Sequence, residues 1–216
     1  DADTICINDP INIFESLLLD LVNSPFTISA RTEINKNEIE NYASLYENDP
    51  ILPFKRLGLD NLYFNAGVML IDLSKWRKEN LTEKLIHKLN VIKDEIVSWD
   101  QDVMNSQING AYIPLPESLN CYQTEISKAN EETTFIVHYL GSNKPWFTSG
   151  IFNESSKHYH QNYSKHQDKY YHLVHLWKKQ SIFDLFSAIL SLKFLSLEMP
   201  VSFIKEFTIS LFKSDR

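Results

Sequence analysis

The chain has 216 residues, 43% hydrophobic and 23% charged, which suits one domain with an apolar core, or one domain plus an appendage, and excludes disorder as the main state. Five glycines exclude collagen-like and glycine-rich repeats, and two cysteines, Cys6 and Cys121, do not build a disulfide framework, so a reducing compartment is expected. The net charge of −7 is uneven: residues 1–156 hold 12 basic and 23 acidic side chains, which argues against nucleic-acid binding, whereas residues 157–216 hold 9 basic and 5 acidic ones and could meet an anionic membrane face.

The first residue is Asp1, with no basic-then-apolar leader, so a fragment of a longer product is expected. Asp1 to Ile7 alternates like the end of a strand, and Asn8-Asp9-Pro10 reads as a turn. Pro10 to Val22 has helical apolar spacing. Phe26–Ala30 is a short strand, Lys36–Tyr46 a polar helix, and Asp49–Gly58, with Pro50 and Pro53, a loop. Tyr63–Leu73 is nearly continuous apolar sequence and suits a buried strand. Ser74 is expected to cap a helix that begins at Lys75, and a second helix covers Thr82–Val97. Ser98-Trp99-Asp100-Gln101 has capping-box spacing and predicts a helix to Ile108. Ala111–Leu115 and Thr134–Tyr139 read as strands. Beyond Lys157 helices dominate: Ser181–Leu197 is apolar at helical spacing, with Phe183, Phe186, Leu190 and Phe194 as its expected buried face, Pro200 breaks it, and a short helix follows to Phe212. Its longest charge-free run, Leu185–Leu192, is far short of the roughly 20 residues that span a bilayer. Alternating strands and helices before residue 150 and helices after it make an α/β domain, 1–150, with a helical extension, 151–216.

Four segments could carry chemistry. In Asp1-Ala2-Asp3, side chains at i and i+2 of a strand share a face, and two adjacent carboxylates suit a hard divalent cation. Taken alone, Asp-x-Asp is more often a turn. Phe64-Asn65-Ala66-Gly67 heads an apolar strand; the Asn65 amide needs partners that sugar hydroxyls could supply, although an Asn-x-Gly turn explains it equally well. Asp100-Gln101-Asp102 sits at a helix start, where acidic residues already offset the macrodipole; the functional reading has a carboxylate and an amide holding sugar hydroxyls. His138 to Trp146 ends a strand in a histidine, followed by Gly141 and Lys144, which could approach and neutralise a phosphate. A lone histidine is more often structural than a ligand, and imidazole suits Mn²⁺ better than Mg²⁺. Five of the seven histidines lie between His158 and His175 at irregular spacing and read as surface residues.

In this order the four segments resemble glycosyltransferase family 8, retaining enzymes of the GT-A fold, and within it the bacterial lipopolysaccharide galactosyl- and glucosyltransferases. Asp1-Ala2-Asp3-Thr4, Tyr63 to Leu73 with Trp76 and Arg77, Trp99 to Asn105, and His138 to Trp146 carry the likeness, which covers residues 1–146. The resemblance implies that Asp1, Asp3 and His138 bind Mn²⁺ (or Mg²⁺) and that Gly141 and Lys144 contact the diphosphate of a UDP-sugar. It also implies that Asn65, Asp100 and Gln101 line the donor sugar, with Asp102 orienting the helix start. The expected activity is transfer of a hexose from UDP-glucose or UDP-galactose to a glycan or glycolipid acceptor, as in lipopolysaccharide or other surface-polysaccharide synthesis. Its expected place is cytoplasmic, peripheral on the inner face of a bacterial plasma membrane. The family's segment that precedes Asp-x-Asp and holds uracil and ribose is missing from these residues, so weak donor binding by them alone is expected.

Retention needs a covalent intermediate or same-face attack. Gln101 stands where a nucleophile would, but an amide is a poor one; Asp100 is better chemically, yet is expected to hold hydroxyls, which favours same-face attack. The alternative is a non-catalytic nucleotide-sugar or carbohydrate-binding relative of the same fold.

Overall fold

The computed structural model describes residues 1–38 and 51–213. By internal packing the chain divides into two units, one of Asp1 and Pro10–Asn120, the other of Ala2–Asp9 and Cys121–Arg216.

The first unit is built on strands β2 (Ile28–Asn35), β3 (Leu62–Ile71) and β4 (Ile113–Pro114), in the order β3-β2-β4. β2 and β3 are antiparallel, from Asn35 opposite Leu62 to Ile28 opposite Ile71, and β4 runs parallel to β2. β2 extends past the Phe26–Ala30 read from the sequence, because Arg31 and Glu33 find polar partners that let charged positions stay in a strand. Two register irregularities, between Ala30 and Arg31 and between Thr32 and Ile34, bring Arg31 opposite Asn65.

Helix α1 spans Ile11–Asn23 and α2 spans Leu52–Leu57. The loop expected over 49–58 therefore contains a helical turn. Pro53 sits in its first turn, where no N–H is needed, Gly58 ends it at φ 66°, and Phe54 and Leu57 bury against Ile34, Leu59 and Tyr63. Lys36–Glu38 is a 3₁₀ turn, and the rest of the helix expected to Tyr46 lies outside the described residues. α3 (Leu73–Lys78) is capped two residues earlier than expected: Asp72, not Ser74, accepts from the N–H groups of Ser74 and Lys75 at 2.9 and 3.1 Å. α4 (Leu81–Ile92) stops short of Val97 in a 3₁₀ turn, Lys93–Glu95. α5 (Trp99–Ile108) has the predicted bounds, but its cap is not the Ser98 hydroxyl; Asp102 reaches back instead to the N–H groups of Val97 and Ser98, both at 2.7 Å. α5 packs on the sheet through Met104, against Ile28, Ala30, Phe64 and Tyr112.

In the second unit β1 (Thr4–Cys6), β6 (Ile136–His138) and β5 (Cys121–Tyr122) form a sheet in the order β1-β6-β5. β1 is antiparallel to β6, with Thr4 opposite His138; β5, two residues long and unsignalled by periodicity, is parallel to it. Cys121, Ile126, Val137 and Tyr139 form its core. Helices α6 (Ser156–His166), α7 (Lys178–Leu190) and α8 (Pro200–Phe212) follow, with a second core at Ile151, Tyr171, Phe203 and Phe207. Pro200 starts α8 as its first residue.

Two expectations are corrected here. Of Phe183, Phe186, Leu190 and Phe194, the expected buried face of the tail helix, the first three are exposed and Phe194 alone packs on the core around Phe203, while the buried residues of α7 are Ser181 and Ala188. Of the histidines read as surface residues, His160 and His175 are buried; burial holds His160 down to about 4, and its neutral ring bonds Pro145 O at 2.9 Å. Among the described residues no helix is long and apolar enough to cross a membrane.

Candidate metal and sugar site

β1 and β6 set the geometry around Asp3. Its carbonyl accepts from Tyr139 N at 2.9 Å, continuing the ladder past Thr4–His138, so residue 3 lies beside the end of β6. Asp3 Oδ1 is 3.3 Å from Nε2 of the buried His138. The other Asp3 oxygen accepts from the Lys144 ammonium, which also donates to Tyr139 O. Burial pushes the Asp3 carboxyl up, but the hydrogen bond and charge of Lys144, with His138, hold it below the usual range. Burial brings His138 down to about 4, against the pull of Asp3. At pH 7 the ring is therefore neutral and offers a lone pair. A carboxylate beside a neutral imidazole, with Asp1 two peptide links away and its Cα within about 7 Å of that of Asp3, is a donor set that fits Mn²⁺.

The loop carrying Lys144 is fixed from both sides. Gly141 is exposed at φ 66°, with open space where a side chain would stand. Phe147 N donates to Lys144 O at 3.0 Å, and His160 holds Pro145. Gly150, which the sequence did not single out, lies so close that a methyl there would overlap the carbonyls of Asn143 and Lys144.

Asn65 and Gln101 come together in the first unit, each inside a polar network. Asn65 is buried, and its Oδ1 accepts from Gly67 N and Asn120 Nδ2, both at 3.0 Å. Gln101 Oε1 accepts from Ala66 N at 3.1 Å. Asn105 pins α5 to β3: Oδ1 accepts from Phe64 N, and Nδ2 donates to Phe64 O, both at 2.8 Å. Asp102 is fully buried, and its carboxylate accepts from Arg56, from Tyr63 OH at 2.7 Å and from two backbone N–H groups. Asp102 thus has no lone pair left for a substrate. Asp100, one residue from Gln101, faces elsewhere: it is exposed at the rim of an apolar groove of about 730 Å³ whose lip is Trp99, 80% exposed at φ 44°. Glu33, Arg56, Asn105 and Asn120 were not read from the sequence; the one available signal was Arg31 and Glu33 at i and i+2, which a strand puts on one face.

The family model "Glycosyl transferase family 8" matches residues 1–150. General stress protein A of Bacillus subtilis is 27% identical, over 84% of this chain and 59% of its own length. A lipopolysaccharide 1,2-glucosyltransferase of Escherichia coli is 37% identical, over 42% of this chain and 30% of its own. The chain thus spans less than two thirds of either relative. The crystal structure of a galactosyltransferase, LgtC, with donor and acceptor sugar analogues superposes with a TM-score of 0.55 at 18% identity, over 75% of this chain and 58% of that one. That likeness shows a shared GT-A fold.

Proposed function

Because the chain belongs to glycosyltransferase family 8, we propose that it carries the metal- and sugar-binding residues of a retaining hexosyltransferase. The enzyme would move glucose or galactose from a UDP-sugar to a glycan or glycolipid acceptor, in the making of lipopolysaccharide or another surface polysaccharide. One observation carries this reading: Asp3 of the Asp-x-Asp segment is set by strand register beside a neutral His138 and the Lys144 ammonium.

In this reading Asp1, Asp3 and His138 hold Mn²⁺, or Mg²⁺ less well. A cation bound there supplies Lewis-acid neutralisation of the departing diphosphate. Lys144 adds a second positive charge, and the bare backbone at Gly141 leaves room for phosphate oxygens. Asn65 and Gln101 position the sugar, and Asp100, which faces the apolar groove, takes no part. The acceptor oxygen bonds to the anomeric carbon on the face the phosphate leaves. As the carbon–phosphate oxygen bond breaks, the acceptor proton passes to that departing oxygen. Same-face attack is favoured because Asp102 is filled by donors, the Glu33 oxygen facing Gln101 already accepts from two amides, and Gln101 is an uncharged amide.

The helical part beyond residue 150 is proposed to rest on the cytoplasmic face of the plasma membrane. Support comes from Trp177, Phe183, Phe186 and Leu190, exposed next to Lys178 and Lys179. The test of the activity is UDP release by the full-length protein across a panel of UDP-sugars, with Mn²⁺ and with EDTA. Metal-dependent release from one sugar supports the transferase and names its donor; neither release nor Mn²⁺-dependent UDP binding refutes it.

A further inference from the structure

The carboxamides of Asn65 and Gln101 are joined by a carboxylate from a third element. Glu33 of β2 accepts through one oxygen, Oε2, from Asn65 Nδ2 at 3.3 Å and from Gln101 Nε2 at 3.1 Å. The hydrogen-bond capacity of the Gln101 amide is then nearly exhausted. Its second N–H goes to Tyr63 OH at 3.1 Å, and Tyr63 in turn donates to Asp102 at 2.7 Å. Ala66 N takes one lone pair of Gln101 Oε1, and among the described residues nothing takes the other. On Asn65, Gly67 N and Asn120 Nδ2 fill both lone pairs of the oxygen.

The polarity of this arrangement follows from Glu33. An ionised carboxylate only accepts, so both NH₂ groups must face it. Turning the Gln101 amide over would set its oxygen against a carboxylate and against a hydroxyl whose proton is already given to Asp102. Burial, with a smaller push from the Asp102 charge, raises the Glu33 carboxyl above the ordinary carboxylate range, and the two amide hydrogen bonds and Arg31 limit that rise. Donation from an amide N–H to an anion also shifts electron density onto the amide oxygen, the direction that suits a sugar hydroxyl or a positively charged anomeric carbon.

We propose that Glu33 is a positioning residue of the donor-sugar site: it fixes the carboxamides of Asn65 and Gln101 and makes Gln101 Oε1 the group offered to the transferred sugar. The proposal rests on the transferase reading above, and its test separates the two.

In the full-length protein, side-chain amide signals of Asn65 and Gln101 are assigned by NMR from their loss in N65D and Q101E. Glu33→Ala should shift both and speed their hydrogen exchange at least about tenfold. Glu33→Gln keeps an oxygen able to accept both bonds and should hold the signals near wild type. In UDP release, Glu33→Ala should lower kcat about 10- to 100-fold and leave KM for the donor within about threefold, and Glu33→Gln should recover most of the loss. Unmoved amide signals in Glu33→Ala overturn the proposal. So does a Glu33→Gln variant with held amides but the full kcat loss, which would make Glu33 a base or nucleophile in its own right. If Glu33→Ala loses its folded spectrum, the Glu33→Gln comparison decides alone. A wild type that neither binds nor releases UDP refutes the transferase reading, and the amide signals still test what Glu33 holds.

Discussion

Asp102 offers the sharpest test of the network beneath the candidate site. Its carboxylate is fully buried, accepts from Arg56 Nη1 at 2.8 Å and Nη2 at 3.3 Å, and takes Tyr63 OH and two N–H groups at 2.7 Å each. Asp102→Ala leaves a largely buried guanidinium, a phenol and two backbone donors without their acceptor. Removing one member of such a pair costs about 3–5 kcal/mol. For a chain of 150–250 residues, where 1 kcal/mol is worth roughly 2–4 °C, Tm should fall by about 6–20 °C. Replacing both members, Arg56→Met with Asp102→Leu, should cost less than Asp102→Ala alone, because no charge is stranded. The acid limb gives a second reading. Burial raises the Asp102 carboxyl, but Arg56, the Ser98 and Val97 N–H groups and Tyr63 hold it below the ordinary 3.8. A folded-state value below the unfolded one means that the unfolded chain binds the extra proton. The stabilisation is therefore complete above the unfolded value and is lost as pH falls through the folded one. Thermal unfolding followed by circular dichroism from pH 7 to pH 3 should show a steeper acid loss in wild type than in Asp102→Ala. A Tm for Asp102→Ala within about 2 °C of wild type, or an unchanged acid slope, would refute the reasoning.

The remaining predictions concern the metal site, its loop and the tail. Asp3→Asn and His138→Ala should each weaken Mn²⁺ binding, measured by calorimetry without nucleotide, by more than the roughly 10–100-fold that loss of an outer partner costs; wild-type affinity in both would exclude these residues as ligands. Gly150→Ala drives a methyl into the carbonyls of Asn143 and Lys144 and should cost about 1–3 kcal/mol of stability. It should also weaken UDP binding, whereas stability and binding both at wild-type level would mean that the loop yields freely. Phe183→Ser with Phe186→Ser removes exposed apolar surface, so Tm should stay within about 2 °C while association with anionic liposomes falls in a sedimentation assay; unchanged association would dismiss the membrane proposal.

The long elements were legible because their signals are local. α1 follows from apolar spacing at the helical period, α5 from the capping-box spacing at its start, and β3 from an unbroken apolar run. The shortest were less so: the strand read over Ala111–Leu115 shrinks to Ile113–Pro114, the part that pairs with β2, and β5, two residues long and without a signal of its own, exists because β6 supplies its partner. Caps were misread where a better acceptor stood nearby, Asp72 in place of Ser74 and Asp102 in place of Ser98. The tail helix was read as burying its bulkiest stripe, but an apolar period reports only that a helix has two faces, and which one is covered depends on what packs against it.

The sequence by itself determined the family, the segments that carry the likeness to it and the types of group they bring: carboxylates, an imidazole, an ammonium and amides. Tertiary structure alone decided how those groups are used. His138 is a neutral donor because burial disfavours its charge, and Asp102 is withdrawn from chemistry because five hydrogen bonds converge on it. Glu33 enters the site because β2 passes beside β3 and α5, bringing it to residues 32 and 68 positions away in the chain. Residue type is local information, whereas desolvation and hydrogen-bond saturation are sums over neighbours that only the folded chain brings together.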